Sequence, residues 1–163
     1  MSLFQLLLAL LIPLQLTSSA LTPPPPGHPP RPPPAIFILS STESRWATKA
    51  VADALHTLGF TETGPANSYR QIERDDSPAW QRLASSMPHA RFILPAAAGA
   101  ASDHDDVRRF FDVNHPHQLL ELFVGTTVPA EQAENWVTLC RFLGLGYSVV
   151  ERLKLWYFPA VKF

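Results

Sequence analysis

The spacing of apolar residues constrains this chain more than any other feature. Residues 35–40, 90–94 and 119–124 are short, nearly continuous apolar runs rich in Ile, Leu and Phe, the pattern of strands buried on both faces. Between and after them the period changes. Over residues 45–58, Ala47, Val51, Ala54, Leu55 and Leu58 recur at spacings of three and four, which draws one helical stripe, and Gly59 stands where a C-terminal cap belongs. Residues 78–87 predict a short helix. Residues 103–112 predict another, opening with acidic side chains that suit the positive end of its dipole. Trp136, Leu139, Cys140 and Leu143 share one face of a last helix over 134–143, stopped by Gly144. Residues 61–77 are polar and read as a connection, Pro95 as the end of the second strand, and 96–102 as a small-residue loop. Strands that alternate with helices predict an α/β fold, a small three-layer parallel sheet with flanking helices and right-handed crossovers. The tail 147–163 carries Trp156, Tyr157, Phe158 and Phe163, too much apolar surface to leave in water, and is expected to pack back on the domain as helix or strand.

Composition narrows the class. A chain of 163 residues with 46% apolar and 17% charged residues has enough material for one core and too little charge for a solvated tail. The net charge of −1 provides no field for a nucleic-acid backbone. Cys140 is the single cysteine, which excludes an intramolecular disulfide and a multi-cysteine zinc site.

Ahead of the domain, residues 3–16 are apolar apart from Gln5, Pro13 and Gln15, and Ser18 and Ala20 match a signal-peptidase site. Residues 1–20 therefore read as a cleavable signal peptide, with a short uncleaved anchor through 3–16 as the alternative; the expected location is the secretory pathway or beyond it. Residues 21–34 hold nine of the seventeen prolines and read as an extended polyproline linker, which puts the folded domain at 35–163.

The loop after the first strand faces the ligand crevice in such a fold, and the next helix presents its N-terminus there. That loop holds Ser40, Ser41, Thr42 and Ser44, followed by Arg45, Thr48 and Lys49, residue types that bind phosphate or sulfate, but it has no glycine. An ordinary β–α turn with hydroxyl caps fits the same residues. Asp75 and Asp76 before Pro78 read either as a helix start or, at Asp76, as a general base. Asp103, His104, Asp105 and Asp106 with Asn114, His115 and His117 include metal-ligand types at no recurring metal spacing, so no metal is expected.

The order of these segments resembles that of the small P-loop sulfotransferase-like proteins of fungi and bacteria. The resemblance runs from Ala35 to Gly144 and is carried by Ala54-Leu55-His56-Thr57-Leu58-Gly59-Phe60, Asp75-Asp76-Ser77-Pro78-Ala79, Met87-Pro88-His89-Ala90-Arg91-Phe92-Ile93-Leu94 and, most distinctively, Trp136-Val137-Thr138-Leu139-Cys140-Arg141-Phe142-Leu143-Gly144. It implies sulfuryl transfer from 3'-phosphoadenylyl sulfate to a small hydroxyl-bearing acceptor, with Arg45, Thr48 and Lys49 at the donor and Asp76 as the base. This chain departs from the family pattern in two places. Residues such as Thr42 and Ala47 stand where the family loop has glycine, and Pro95-Ala96-Ala97-Ala98-Gly99-Ala100 stands where relatives have Arg and Asp. The resemblance thus implies a truncated member with a degenerate P-loop and weak or lost activity. The alternative is a non-catalytic secreted interaction domain.

Overall fold

The computed structural model describes residues 34–64, 67–97 and 104–159, so the expected signal segment, most of the linker and residues 160–163 lie outside the described residues. The described residues belong to one compact unit. Its sheet has four strands, β1 (Ile36–Ser40), β2 (Tyr69–Glu73), β3 (Arg91–Ala96) and β4 (Leu119–Phe123), in the order β2-β1-β3-β4. All neighbours are parallel. Parallel neighbours need crossovers, and α1 (Arg45–Thr57), α2 (Ser77–Ser86) and α3 (Asp105–Asn114) supply them, with α4 (Pro129–Phe142) and α5 (Tyr147–Leu153) completing the chain of elements.

The two-residue period of β1 builds two cores. Ile36 and Ile38 face one side, where Val51 and Leu55 of α1, Trp136, Leu139 and Cys140 of α4 and Val150 of α5 close over them. Phe37 and Leu39 face the other, against Trp80 and Ala84 of α2 and Val107 and Phe111 of α3. Aromatic rings carry much of the second core: Phe37 stacks on Phe92 with centroids 5.1 Å apart, and Trp80 stacks on Phe111 at 5.6 Å. The tail packs back only in part: Trp156 and Tyr157 stay exposed, and Phe163 lies outside the described residues. Leu155 and Phe158 are buried, Phe158 lies 4.9 Å from the Trp136 ring, and the Trp136 indole N–H donates to the carbonyl of Tyr157.

Two expectations are corrected. Residues 61–77 contain a strand, β2, which does not show as an apolar run because Tyr69 and Ile72 are the only apolar residues among its five. It is an edge strand with one neighbour, and Arg70, Gln71 and Glu73 stay exposed. Pro95 does not end β3, which continues to Ala96. The Arg91 N–H donates to Ala35 and the Phe92 N–H to Gln118, so odd-numbered residues of β3 turn toward β1 and even-numbered ones toward β4. Pairing with β1 has already stopped at Ile38 and Ile93, whereas pairing with β4 runs on to Ala96. Pro95 therefore sits where its missing N–H costs no ladder bond.

Candidate functional site

The polypeptide turns from β1 into α1 through a loop in which Ser40 and Ser41 engage their hydroxyls locally. The Ser41 hydroxyl accepts from the Glu43 N–H at 3.2 Å, and the Ser40 hydroxyl donates to the Ile72 carbonyl at 3.1 Å. The Ser44 carbonyl receives the N–H groups of Ala47 and Thr48, and the hydroxyl of Thr48, a buried residue, donates to it as well. Thr42 and Arg45 are exposed, and Arg45 makes no ion pair with a described residue.

Beside this loop an open trough of about 500 Å³ runs between α1 and β2. One wall is the α1 face carrying Arg45, Lys49, Asp53 and His56, spaced as one helical stripe. The other wall is Tyr69, Gln71 and Glu73, alternate residues of β2. The register pairs Ser40 with Glu73 and Ile36 with Tyr69, so Glu73 marks the loop end of the trough and Tyr69 the far end.

Charge is distributed unevenly along it. The Lys49 ammonium is held by both Asp53 carboxylate oxygens, at 2.8 and 3.0 Å. Glu62 accepts from the Gln71 amide at 3.2 Å. At the far end His56 Nε2 lies 2.9 Å from the Tyr69 hydroxyl, and burial first, then the carboxylates of Glu62 and Asp53, push that phenol above its ordinary pKa. Tyr69 is thus a neutral partner for His56.

The residues predicted at the donor site, Arg45, Thr48 and Lys49, all line the trough. Asp76 stands apart from it. Its carboxylate accepts the Ala79 N–H at 3.2 Å and caps α2, whose second residue is Pro78. The adjacent Asp75 pairs with Arg74 at 3.3 Å.

In this strand order the chain leaves β1 to one side and returns on the other, so the switch point lies between β1 and β3. Trp46, in the first turn of α1, lies against Gly125, two residues beyond the end of β4; a Cβ built on Gly125 would stand 2.6 Å from the indole. The open trough instead lies on the β2 side of α1.

The candidate metal residues separate. His104 is buried with its Nδ1 3.5 Å from Glu121, while Asp105 pairs with Arg108 at 3.0 Å. Arg108 also bonds both oxygens of Glu121, and these bonds first, with His104 adding to them, hold the Glu121 carboxyl below its ordinary value. Among the described residues no group of three or more His, Cys, Asp or Glu side chains is placed to share an ion. Asp103 lies outside the described residues. Burial raises the Cys140 thiol, as suits a core residue.

Sequence reasoning missed one whole wall, Tyr69, Gln71 and Glu73, together with Glu62 and His56. The signal available was the pair of apolar residues Tyr69 and Ile72 in a polar stretch, too sparse to announce a strand. No described helix is long and apolar enough to cross a membrane. Searches against protein-family models, curated proteins and solved structures return no match for this chain.

Proposed function

We propose that the domain is a sulfotransferase-like module that binds 3'-phosphoadenylyl sulfate, or the 3'-phosphoadenosine 5'-phosphate left after transfer, with its phosphosulfate end at the loop after β1. The observation that carries this reading is the convergence of Arg45, Thr48 and Lys49 with the hydroxyls of Ser41 and Thr42 on one trough at the C-terminal end of β1. In the transfer, an acceptor oxygen forms a bond to sulfur while the bond from sulfur to the phosphate oxygen breaks, and the acceptor proton needs a base. Among the described residues of the trough, Arg45 is the cation without an ion-pair partner, and it is exposed to meet the anion.

Transfer is weak or lost in this reading, for two reasons. Lys49 is already neutralised by Asp53, and the Asp76 carboxylate is engaged in capping α2. Those same observations favour the second reading, a non-catalytic interaction domain delivered to the secretory pathway. A calorimetric titration of the full chain with 3'-phosphoadenosine 5'-phosphate separates the two. Saturable binding lost in Arg45→Ala supports the donor site and justifies a screen of hydroxyl acceptors. No binding by the folded wild-type chain overturns it in favour of the interaction domain.

A further inference from the structure

Parallel pairing turns alternate backbone groups of an edge strand away from the sheet. In β2 the Arg74 N–H donates to Ser40 at 2.7 Å, which with the register turns Arg70 and Ile72 toward β1 and Tyr69, Gln71 and Glu73 outward. The Tyr69 N–H is taken by the Thr61 carbonyl at 3.0 Å and the Glu73 carbonyl by the Asp76 N–H at 3.1 Å. That leaves the Tyr69 carbonyl, both groups of Gln71 and the Glu73 N–H without a partner among the described residues. Gln71 and Glu73 are exposed. The opposite edge is better covered: Asn135 donates to the Phe123 carbonyl at 2.7 Å, and Leu119 and Glu121 are half-buried.

Because Tyr69, Gln71 and Glu73 also form a wall of the trough, the open edge and the trough are one continuous surface. Backbone donors and acceptors there adjoin space for side chains, the combination by which a sheet edge bound beside a helix selects a peptide. Charge says which peptide. Lys49 is matched by Asp53, which leaves Arg45 as one cation against two carboxylates: among the described residues Glu73 makes no ion pair and Glu62 meets only the Gln71 amide. Glu62 lies toward the Tyr69 end and Glu73 at the loop end. Basic side chains at alternate positions of an added strand would stand about 7 Å apart on the trough side and face these carboxylates.

We infer that the β2 edge and its trough receive an extended peptide segment of a partner protein, added as a fifth strand, with Lys or Arg at alternate positions facing Glu62 and Glu73. Main-chain bonds to Gln71 and its neighbours give the strand its hold, and the carboxylates give its selection.

The probe is a fluorescently labelled hexapeptide of alternating lysine and valine, titrated into the full chain and read by anisotropy. Saturable binding is expected, weakened about tenfold or more by Gln71→Pro, which removes an outward N–H and leaves the ladder to β1 intact, and similarly by Glu62→Gln with Glu73→Gln. A second probe needs no protein variant: the same peptide N-methylated at alternate amides, made in both registers, loses binding in one of them. Equal binding by both methylated peptides means charge attraction alone and overturns the strand addition, as does failure of the unmethylated peptide to bind. A concentration-dependent dimer of the chain, abolished by Gln71→Pro in sedimentation without peptide, would assign the edge to a second copy and overturn the partner. The nucleotide titration with Arg45→Ala is read separately, so a chain that takes nucleotide but no peptide refutes this inference alone.

Discussion

Gly125 is the residue at which backbone and packing constraints coincide. Its φ of +91° lies in the left-handed region that favours glycine, and the Trp46 indole leaves no room for a methyl group. Gly125→Ala is therefore expected to destabilise the domain by about 1–3 kcal/mol, measured by urea denaturation, from overpacking added to backbone strain. Glu121 makes a different residue-scale prediction. Arg108 holds its folded carboxyl below the ordinary glutamate value, so its contribution is complete at neutral pH. It is lost as pH falls below the ordinary range and through the folded value, where the unfolded chain binds the proton first. Denaturation midpoints measured from pH 7 to pH 3 should fall less steeply in Glu121→Gln than in the wild type. The sequence made Glu121 visible only as a polar interruption of an apolar strand, because its partner lies thirteen residues away on another element.

At the scale of elements, the strands that apolar runs announce are those with a neighbour on both sides or a well-covered face. β1 is buried along four of its five residues, and its pattern could be recognised without knowing its partners. β2 could not, because what makes Tyr69–Glu73 a strand is the ladder offered by β1 rather than burial of its own side chains. The helix stripes were legible for a related reason: Val51 and Leu55 or Leu139 and Leu143 meet a core at helical spacing. The start of α4 at Pro129, five residues before the sequence expectation of 134, follows from a proline at a first-turn position rather than from the apolar stripe. Asp76 is best judged as part of an element. Asp76→Ala should cost about 0.5–2 kcal/mol by loss of the α2 cap, while Asp76→Asn should retain most of the stability in thermal melts. A large loss of stability in the asparagine variant would contradict capping as its main role.

For the whole molecule, the alternation of apolar runs and stripes made the class of fold readable: an all-parallel sheet between two helical layers. The candidate site was readable on the side that the first crossover supplies, Arg45, Thr48 and Lys49, and hidden on the side that only tertiary pairing creates. The arrangement of two separate cores about β1 has a further consequence for the order in which the domain opens. Amide hydrogens of Ile36, Ile38 and Ile93 lie in central strands between both apolar layers, while those of Gln71 and Glu73 face outward at the rim. Deuterium should enter the rim amides during local fraying and reach the central ones only when both layers separate together, making β1 the clock of global unfolding.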